Sequence, residues 1–332
     1  MSINSFPALV ARSDNGALHV ALDTVDSSLL AEGDVLVRVS YSSLNYKDAL
    51  GVSGKEKIFR TYPIIPGIDY AGTVEHSESD NFKSGDFVLL TGWGVGEKHS
   101  GGFARYARAP AKYLLPLPPG MNAKKAMLCG TAGLTAALCV SALTDSGRLP
   151  AGGKVVVSGA SGGVGSVAVM LLSRLNYAVS AVSRLSAGDY LHELGATDVI
   201  TREEMSAQSR PLEKSRWDGA VDCVGGGVLG RILAETNYGG VVAACGLAGD
   251  TDLATTVMPF ILRGVRLEGV DLVMISLDRR RRAWQLLAET LNDEDYRRIN
   301  AGNIALSDIP HAADKVLAGE FNGRYLVEIG TN

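Results

Sequence analysis

The segment Val155-Val156-Val157-Ser158-Gly159-Ala160-Ser161-Gly162-Gly163-Val164-Gly165 constrains the fold of this chain more than any other. Three consecutive β-branched apolar residues read as a strand buried on both faces, and the glycines that follow open an alanine- and leucine-rich helix. A glycine turn between strand and helix is a phosphate site with a mechanism: the helix N-terminus offers unpaired amides and a partial positive charge, and glycine lets phosphate oxygens reach the backbone. Ser161, Gly162, Gly163 and Val164 are therefore the candidate pyrophosphate residues, and Gly165 is the position where the helix must pack closely on the turn. The usual fingerprint begins with glycine where this chain has Ala160. Alanine fits there if its φ stays negative.

The end of the next strand selects the nucleotide, because an acidic residue there would accept the ribose hydroxyls of NAD. Here Val179 to Val182 runs into Ser183-Arg184, with no carboxylate. A hydroxyl beside a cation fits a 2'-phosphate, which predicts NADPH, and Arg202 after the third strand adds charge on the same side.

Around this segment, strands alternate with helices: Lys154 to Ser158, Val179 to Ser183, Gly219 to Asp222, Val241 to Cys245 and Arg266 to Val270. The alternation predicts an α/β fold with a doubly wound parallel sheet. Before Pro119 the chain is instead β-rich, with strands expected at Val35 to Tyr41, Gly72 to His76, Phe87 to Thr91, Phe103 to Ala109 and Tyr113 to Pro116. Between them the glycine-rich stretch Gly92 to Gly102 reads as a long mobile loop lining a site. Helices are expected at Leu277 to Leu291 and Ile309 to Ala318, and a last strand at Arg324 to Ile329. A chain of 332 residues exceeds what one core supports, so two domains are expected.

A net charge of -4 with 20% charged residues gives no basic surface for nucleic acid or an anionic membrane. The N-terminal segment has no signal-peptide core and no later run approaches a membrane span, so the expected location is cytoplasmic. Cys129, Cys139, Cys223 and Cys245 lack paired spacing and read as buried thiols; the five histidines are equally dispersed, and no metal site is expected.

Further motifs are Ser42-Ser43-Leu44-Asn45-Tyr46-Lys47-Asp48, Tyr62-Pro63-Ile64-Ile65-Pro66-Gly67-Ile68-Asp69-Tyr70, Leu90 to Gly96, Asn237-Tyr238-Gly239-Gly240, Ala244-Cys245-Gly246-Leu247-Ala248-Gly249 and Thr256 to Arg263. With them the chain resembles, along essentially its whole length, the medium-chain dehydrogenase/reductase superfamily. The resemblance is strongest to its zinc-free quinone-oxidoreductase-like branch, which includes NADPH-dependent acrylyl-CoA reductases. It implies a GroES-like catalytic domain over 1–127, a Rossmann NADP-binding domain over 128–268 and a segment, 269–332, returning to the catalytic domain. It also implies Leu247 and Ile261 as further cofactor contacts, and a homodimer. Zinc-dependent members carry cysteine where this chain has Asn45 and histidine where it has Ile68, so a Lewis acid is not expected and conjugate reduction, which avoids an alkoxide, suits the site.

The implied reaction is hydride transfer to the β-carbon of a short 2-enoyl-CoA. An NADPH:quinone or enone oxidoreductase is the alternative, and a non-catalytic NADPH-binding protein is the alternative of another class. Asn45 and Tyr46 are the candidate catalytic residues at the strand end, Tyr46 also as a cofactor contact. Asp69 is expected to hold a partner amide or hydroxyl, and Asp48 to cap the next helix. Of the cations near the end, most of Arg279 to Arg282 read as a solvated face and Arg324 as the one that reads substrate phosphates.

Overall fold

The computed structural model describes residues 5–330, so the outer limits of the first and last expected segments lie outside the described residues. In chain order, a β-hairpin comes first, β1 (Phe6–Asp14) with β2 (Ala17–Val25), followed by β3 (Val35–Leu44) and helix α1 (Tyr46–Val52). Strands β4 (Asp69–Ser77), β5 (Phe87–Thr91), β6 (Tyr106–Ala109) and β7 (Leu115–Pro116) lead to helix α2 (Ala123–Thr144). The α/β series is β8 (Lys154–Ser158), α3 (Gly163–Arg174), β9 (Ala178–Ser183), α4 (Gly188–Glu193), β10 (Asp198–Thr201), α5 (Arg202–Ser206), β11 (Trp217–Asp222), α6 (Gly226–Glu235), β12 (Thr236–Ala244), α7 (Met258–Arg263), β13 (Arg266–Gly269), α8 (Leu277–Thr290) and α9 (Asp293–Ile299). Last come β14 (Asn300–Ile304), α10 (Ile309–Ala318) and β15 (Arg324–Glu328).

These form two compact units. One takes the chain as far as Thr131 and resumes at Asn300; the other is Ala132–Ile299. The expected return at 269 is therefore placed too early: α8 and α9 stay with the nucleotide unit, packed on α3 and tied by a two-pronged Arg174–Asp295 pair at 2.8 and 3.2 Å. Of the four arginines on α8, Arg279, Arg281 and Arg282 face solvent, whereas Arg280 is buried and donates to the Val273 carbonyl at 2.8 Å.

In the first unit, β14-β15-β3-β4-β5-β7 form one sheet, with β6 also paired to β3. β15 runs antiparallel to β3 with Tyr325 opposite Leu44, which brings Arg324 to the end of β3. A second layer, the β1–β2 hairpin with α1 and α10, closes a core around Phe6, Leu9, Phe59, Phe103 and Ile309. In the second unit the order is β10-β9-β8-β11-β12-β13, all parallel, as in dinucleotide-binding folds where the chain winds outward in both directions from the central strand. Val155, Val156 and Val157 are fully buried, each contributing about 2 kcal/mol by leaving water.

Two further expectations are corrected. The Gly92 to Gly102 stretch is folded tightly: Gly101 and Gly102 donate to Ile65 and Gly67 carbonyls at 2.7 and 2.9 Å. A Cβ on Gly101 would lie 2.1 Å from the Gly67 carbonyl oxygen, so glycine here permits backbone against backbone and does not signal a mobile loop. Among the described residues α2 is long and apolar enough by length and composition to cross a membrane, contrary to the reading that no run approaches this; 89% of its apolar window is buried in the protein. Gly130, at φ 54° and ψ -153°, interrupts that helix.

Candidate functional site

In the nucleotide unit the phosphate turn has the anticipated build. Gly162 is the N-cap of α3 and no side chain caps the helix, so the amides of its first turn are open to an anion. Ala160 is not among the residues with positive φ; Gly159, at φ 61°, takes the left-handed turn one residue earlier than the fingerprint's usual glycine. A Cβ on Gly165 would sit 2.3 Å from the Gly159 carbonyl oxygen and 2.6 Å from the Ala160 Cα, which explains glycine at that helical position.

Ser183 ends β9, is buried, and donates its hydroxyl to Ser161 Oγ at 2.9 Å, tying the phosphate turn to the neighbouring strand end. Arg184 follows it directly, and Arg202 is the exposed first residue of α5, just after β10. Gly163 and Val164 open α3. Leu247 lies in the turn after β12. All of these follow carboxyl ends of parallel strands, where this fold binds ligands. Ile261 is on α7, with 73% of its surface exposed.

In the other unit the structure assembles a buried polar cluster at the junction of β3, α1, β4 and β15. Asp69 has no exposed surface; its carboxylate accepts from Ser43 Oγ at 2.8 and 2.9 Å, Asn45 Nδ2 at 2.9 Å and the Thr131 amide at 2.8 Å. Arg324 donates to Ser43 Oγ at 2.7 Å and Asn45 Oδ1 at 2.9 Å, and to the carbonyls of Leu44 and Leu128 at 3.4 and 3.3 Å. Gly130 is required beside it, because a Cβ there would fall 2.3 Å from Ser43 Oγ.

This geometry corrects the assignment of Arg324 to substrate phosphates. The side chain is 97% buried, being 3% exposed, and its guanidinium faces protein acceptors. Asn45 is likewise enclosed, with its amide shared between Asp48, Asp69 and Arg324. Tyr46, the first residue of α1, differs: 46% of it is exposed. The cluster thus holds the strand end from which Tyr46 projects. Ser42 and Ser43 stand in a sequence motif that assigns them no role, and for Gly130 and Thr131 the one local signal is a glycine inside an alanine- and leucine-rich helical run.

Asp48 caps α1, accepting the Asn45 amide at 3.0 Å and, on its other oxygen, the Ile68 amide at 3.0 Å. Burial, reinforced by the Asp69 carboxylate, pushes it from 3.8 up to about 7. Burial likewise pushes the Cys129 thiol to about 12, so it stays protonated beside the cluster. The folded state holds a proton on Asp48 that the unfolded chain releases near 3.8. This contribution to stability is complete below that value and is lost as pH rises through about 7. Between pH 5.5 and 8 the wild type should lose about 2 kcal/mol relative to Asp48→Asn in urea unfolding. A gap between the two proteins that does not change with pH would rule out a protonated Asp48.

Among the described residues no group of three or more His, Cys, Asp or Glu side chains is placed to hold a metal ion. Residues 31–119 match the family model of the alcohol dehydrogenase GroES-like domain, and residues 163–289 that of the zinc-binding dehydrogenases. The chain belongs to the medium-chain dehydrogenase/reductase superfamily, in its quinone-oxidoreductase-like branch.

Within that family the chain is 54% identical to the "Probable acrylyl-CoA reductase AcuI" of Escherichia coli K12, over 97% of this chain and 99% of that one. It is 45% identical to the acrylyl-CoA reductase AcuI of Ruegeria pomeroyi, over 98% and 99% of the two chains. The crystal structure of the YhdH oxidoreductase of Salmonella enterica in complex with NADP superposes with a TM-score of 0.95 at 52% identity, covering 98% of this chain and all of that one.

Proposed function

We propose that this protein is an NADPH-dependent reductase of the carbon–carbon double bond of a short 2-enoyl-CoA, converting acrylyl-CoA to propanoyl-CoA, and that it works as a cytoplasmic homodimer. The observation that carries the reading is near-full-length identity, at 54% and 45%, to chains named acrylyl-CoA reductase. The acid-free end of β9 supports the phosphorylated nucleotide, and the open amides of α3 fit its pyrophosphate. Exposed Val257, Leu262 and Met274, in the segments flanking the sheet-edge strand β13, support a dimer.

Bound NADPH supplies the hydride. Gly162, Gly163 and Val164 hold the pyrophosphate by their backbone, and Arg184 with Arg202 balances the charge of the adenosine phosphate. Tyr46 would contact the cofactor, its exposed phenol able to donate a hydrogen bond to the thioester oxygen as negative charge moves there. Asn45, Asp69 and Arg324 keep that end of α1 in place.

The test is steady-state turnover with acrylyl-CoA and with a simple quinone, using each nicotinamide. The expected result is a higher kcat/KM for acrylyl-CoA with NADPH, and an NADPH Kd about tenfold higher in Arg184→Ala with NADH binding unchanged. Equal or better quinone turnover would transfer the assignment to quinone reduction; tight NADPH binding without turnover on either would make the protein a non-catalytic binder.

A further inference from the structure

Two of the four cysteines are not buried thiols. Cys223 and Cys245 are half-buried, whereas Cys129 and Cys139 are enclosed. Cys223 directly follows the last residue of β11 and Cys245 the last residue of β12, and those last residues, Asp222 and Ala244, are register partners. The two thiols are therefore neighbours across a parallel ladder, with their sulfurs 3.8 Å apart. Adjacent strands lie about 4.8 Å apart, inside the Cα separation that disulfides span, roughly 4.4 to 6.8 Å. Closing the gap between the sulfurs to a bond draws the two strand ends toward each other. The reaction proposed above uses no thiol, so this pair has no role in it.

The Cys245 thiol also donates to the Asp222 carbonyl at 3.4 Å. Contacts from the Cys139 and Cys223 thiols hold its ionisation well below the ordinary thiol value. The Cys139 thiol, on α2, is fully buried, whereas Cys223 and Cys245 are half-buried.

We propose that Cys223 and Cys245 are an oxidisable pair that a hydroperoxide closes into an intramolecular disulfide, and that closure weakens nucleotide binding. The Cys245 thiolate attacks the peroxide O–O bond, forming an S–O bond and releasing hydroxide, or alkoxide, which takes up a proton. The Cys223 sulfur then attacks the resulting sulfenic acid, the S–S bond forms and water leaves. Two thiols lose two electrons and two protons, and the peroxide is reduced to water and its alcohol, or to two waters.

The second part of the proposal rests on the reading of this unit as the NADPH site. Cys223 backs directly onto the phosphate turn: its amide donates to Ser158 Oγ at 2.9 Å, and a Cβ on Gly159 would lie 3.3 Å from its own Cβ. On the other side Gly246 packs on the Cys223 backbone, where a Cβ would meet the carbonyl oxygen at 2.3 Å. Drawing the two sulfurs together therefore displaces both the turn that carries the pyrophosphate and the chain leading to Leu247.

The test treats the reduced full-length protein with hydrogen peroxide and reads three things: intact mass, a non-reducing peptide map and the Kd for NADPH. The expected result is loss of two hydrogens, a single cross-link between the peptides of Cys223 and Cys245, and an NADPH Kd raised about tenfold and restored by dithiothreitol. Cys223→Ser and Cys245→Ser should each bind NADPH as the reduced wild type does and keep that affinity after peroxide. Oxidation of one cysteine without a cross-link, a Cys139–Cys245 cross-link, or a disulfide that leaves NADPH affinity intact overturns the proposal. Should the reduced protein bind no NADPH, the function reading fails, while the peptide map still decides whether the pair forms.

Discussion

Gly165→Ala should abolish measurable NADPH binding and destabilise the nucleotide unit by about 3 kcal/mol. The added methyl would lie 2.3 Å from the Gly159 carbonyl oxygen, 2.6 Å from the Ala160 Cα and 2.8 Å from the Gly159 carbonyl carbon. All three are backbone atoms, so no side chain can rotate away and α3 must move off the turn. That movement withdraws the first-turn amides from the place where a phosphate would accept from them. Gly162→Ala is the informative contrast. Gly162 has φ -80° and its nearest obstacle is the Gly159 oxygen at 3.3 Å, so the unit should keep its melting temperature and lose affinity only. Thermal unfolding and fluorescence titration of the two variants separate the effects. Wild-type melting and affinity in Gly165→Ala would show that α3 does not need its contact with the turn.

Arg324→Met should cost about 3 to 5 kcal/mol in denaturant unfolding, with Arg324→Lys recovering part of the loss. Removing the guanidinium leaves the Asp69 carboxylate buried without its neighbouring cation and strips donors from Asn45 Oδ1 and the Leu128 carbonyl. A buried carboxylate lacking compensation is the expensive case, whereas an exposed cation is nearly free to remove. Arg279→Met, which deletes the same charge from a solvated helix face, should change stability by less than about 0.5 kcal/mol. If the two methionine variants unfold alike, the cluster around Asp69 is not what holds the end of β3.

What could be read from the sequence divides by the range over which its causes act. The strand–turn–helix from Lys154 to Arg174 was readable because each determinant is local: consecutive valines, a left-handed glycine, an uncapped helix start and a glycine one turn later. The place of Ser183 and Arg184 at a strand end is legible in the same local way. The β1–β2 hairpin was missed because β2 shows little burial contrast, and the start of β12 was missed because Asn237-Tyr238-Gly239-Gly240 has the composition of a turn.

The cluster around Asp69 was beyond local reading. Its members come from near Ser43, Asp69, Thr131 and Arg324, and only the β3–β15 register brings the last of these to the first. A cation adjacent to a strand looks the same in sequence whether it faces solvent or a buried carboxylate. Glycines mislead for a related reason: at Gly96 and Gly101 they mark close approach by a distant segment, which resembles flexibility until the partner is known.

The inner position of β15, between β14 and β3, has a consequence for biosynthesis. A nascent chain completes Ala132–Ile299 as one uninterrupted stretch, so the parallel sheet has all its strands before the other unit has received β14 and β15. Until those late strands emerge from the ribosome, the Tyr41–Leu44 end of β3 lacks its antiparallel neighbour and Asp69 lacks Arg324. The half made first is thus the half finished last, and this interval is when an exposed strand edge and an unpaired carboxylate call for chaperone protection.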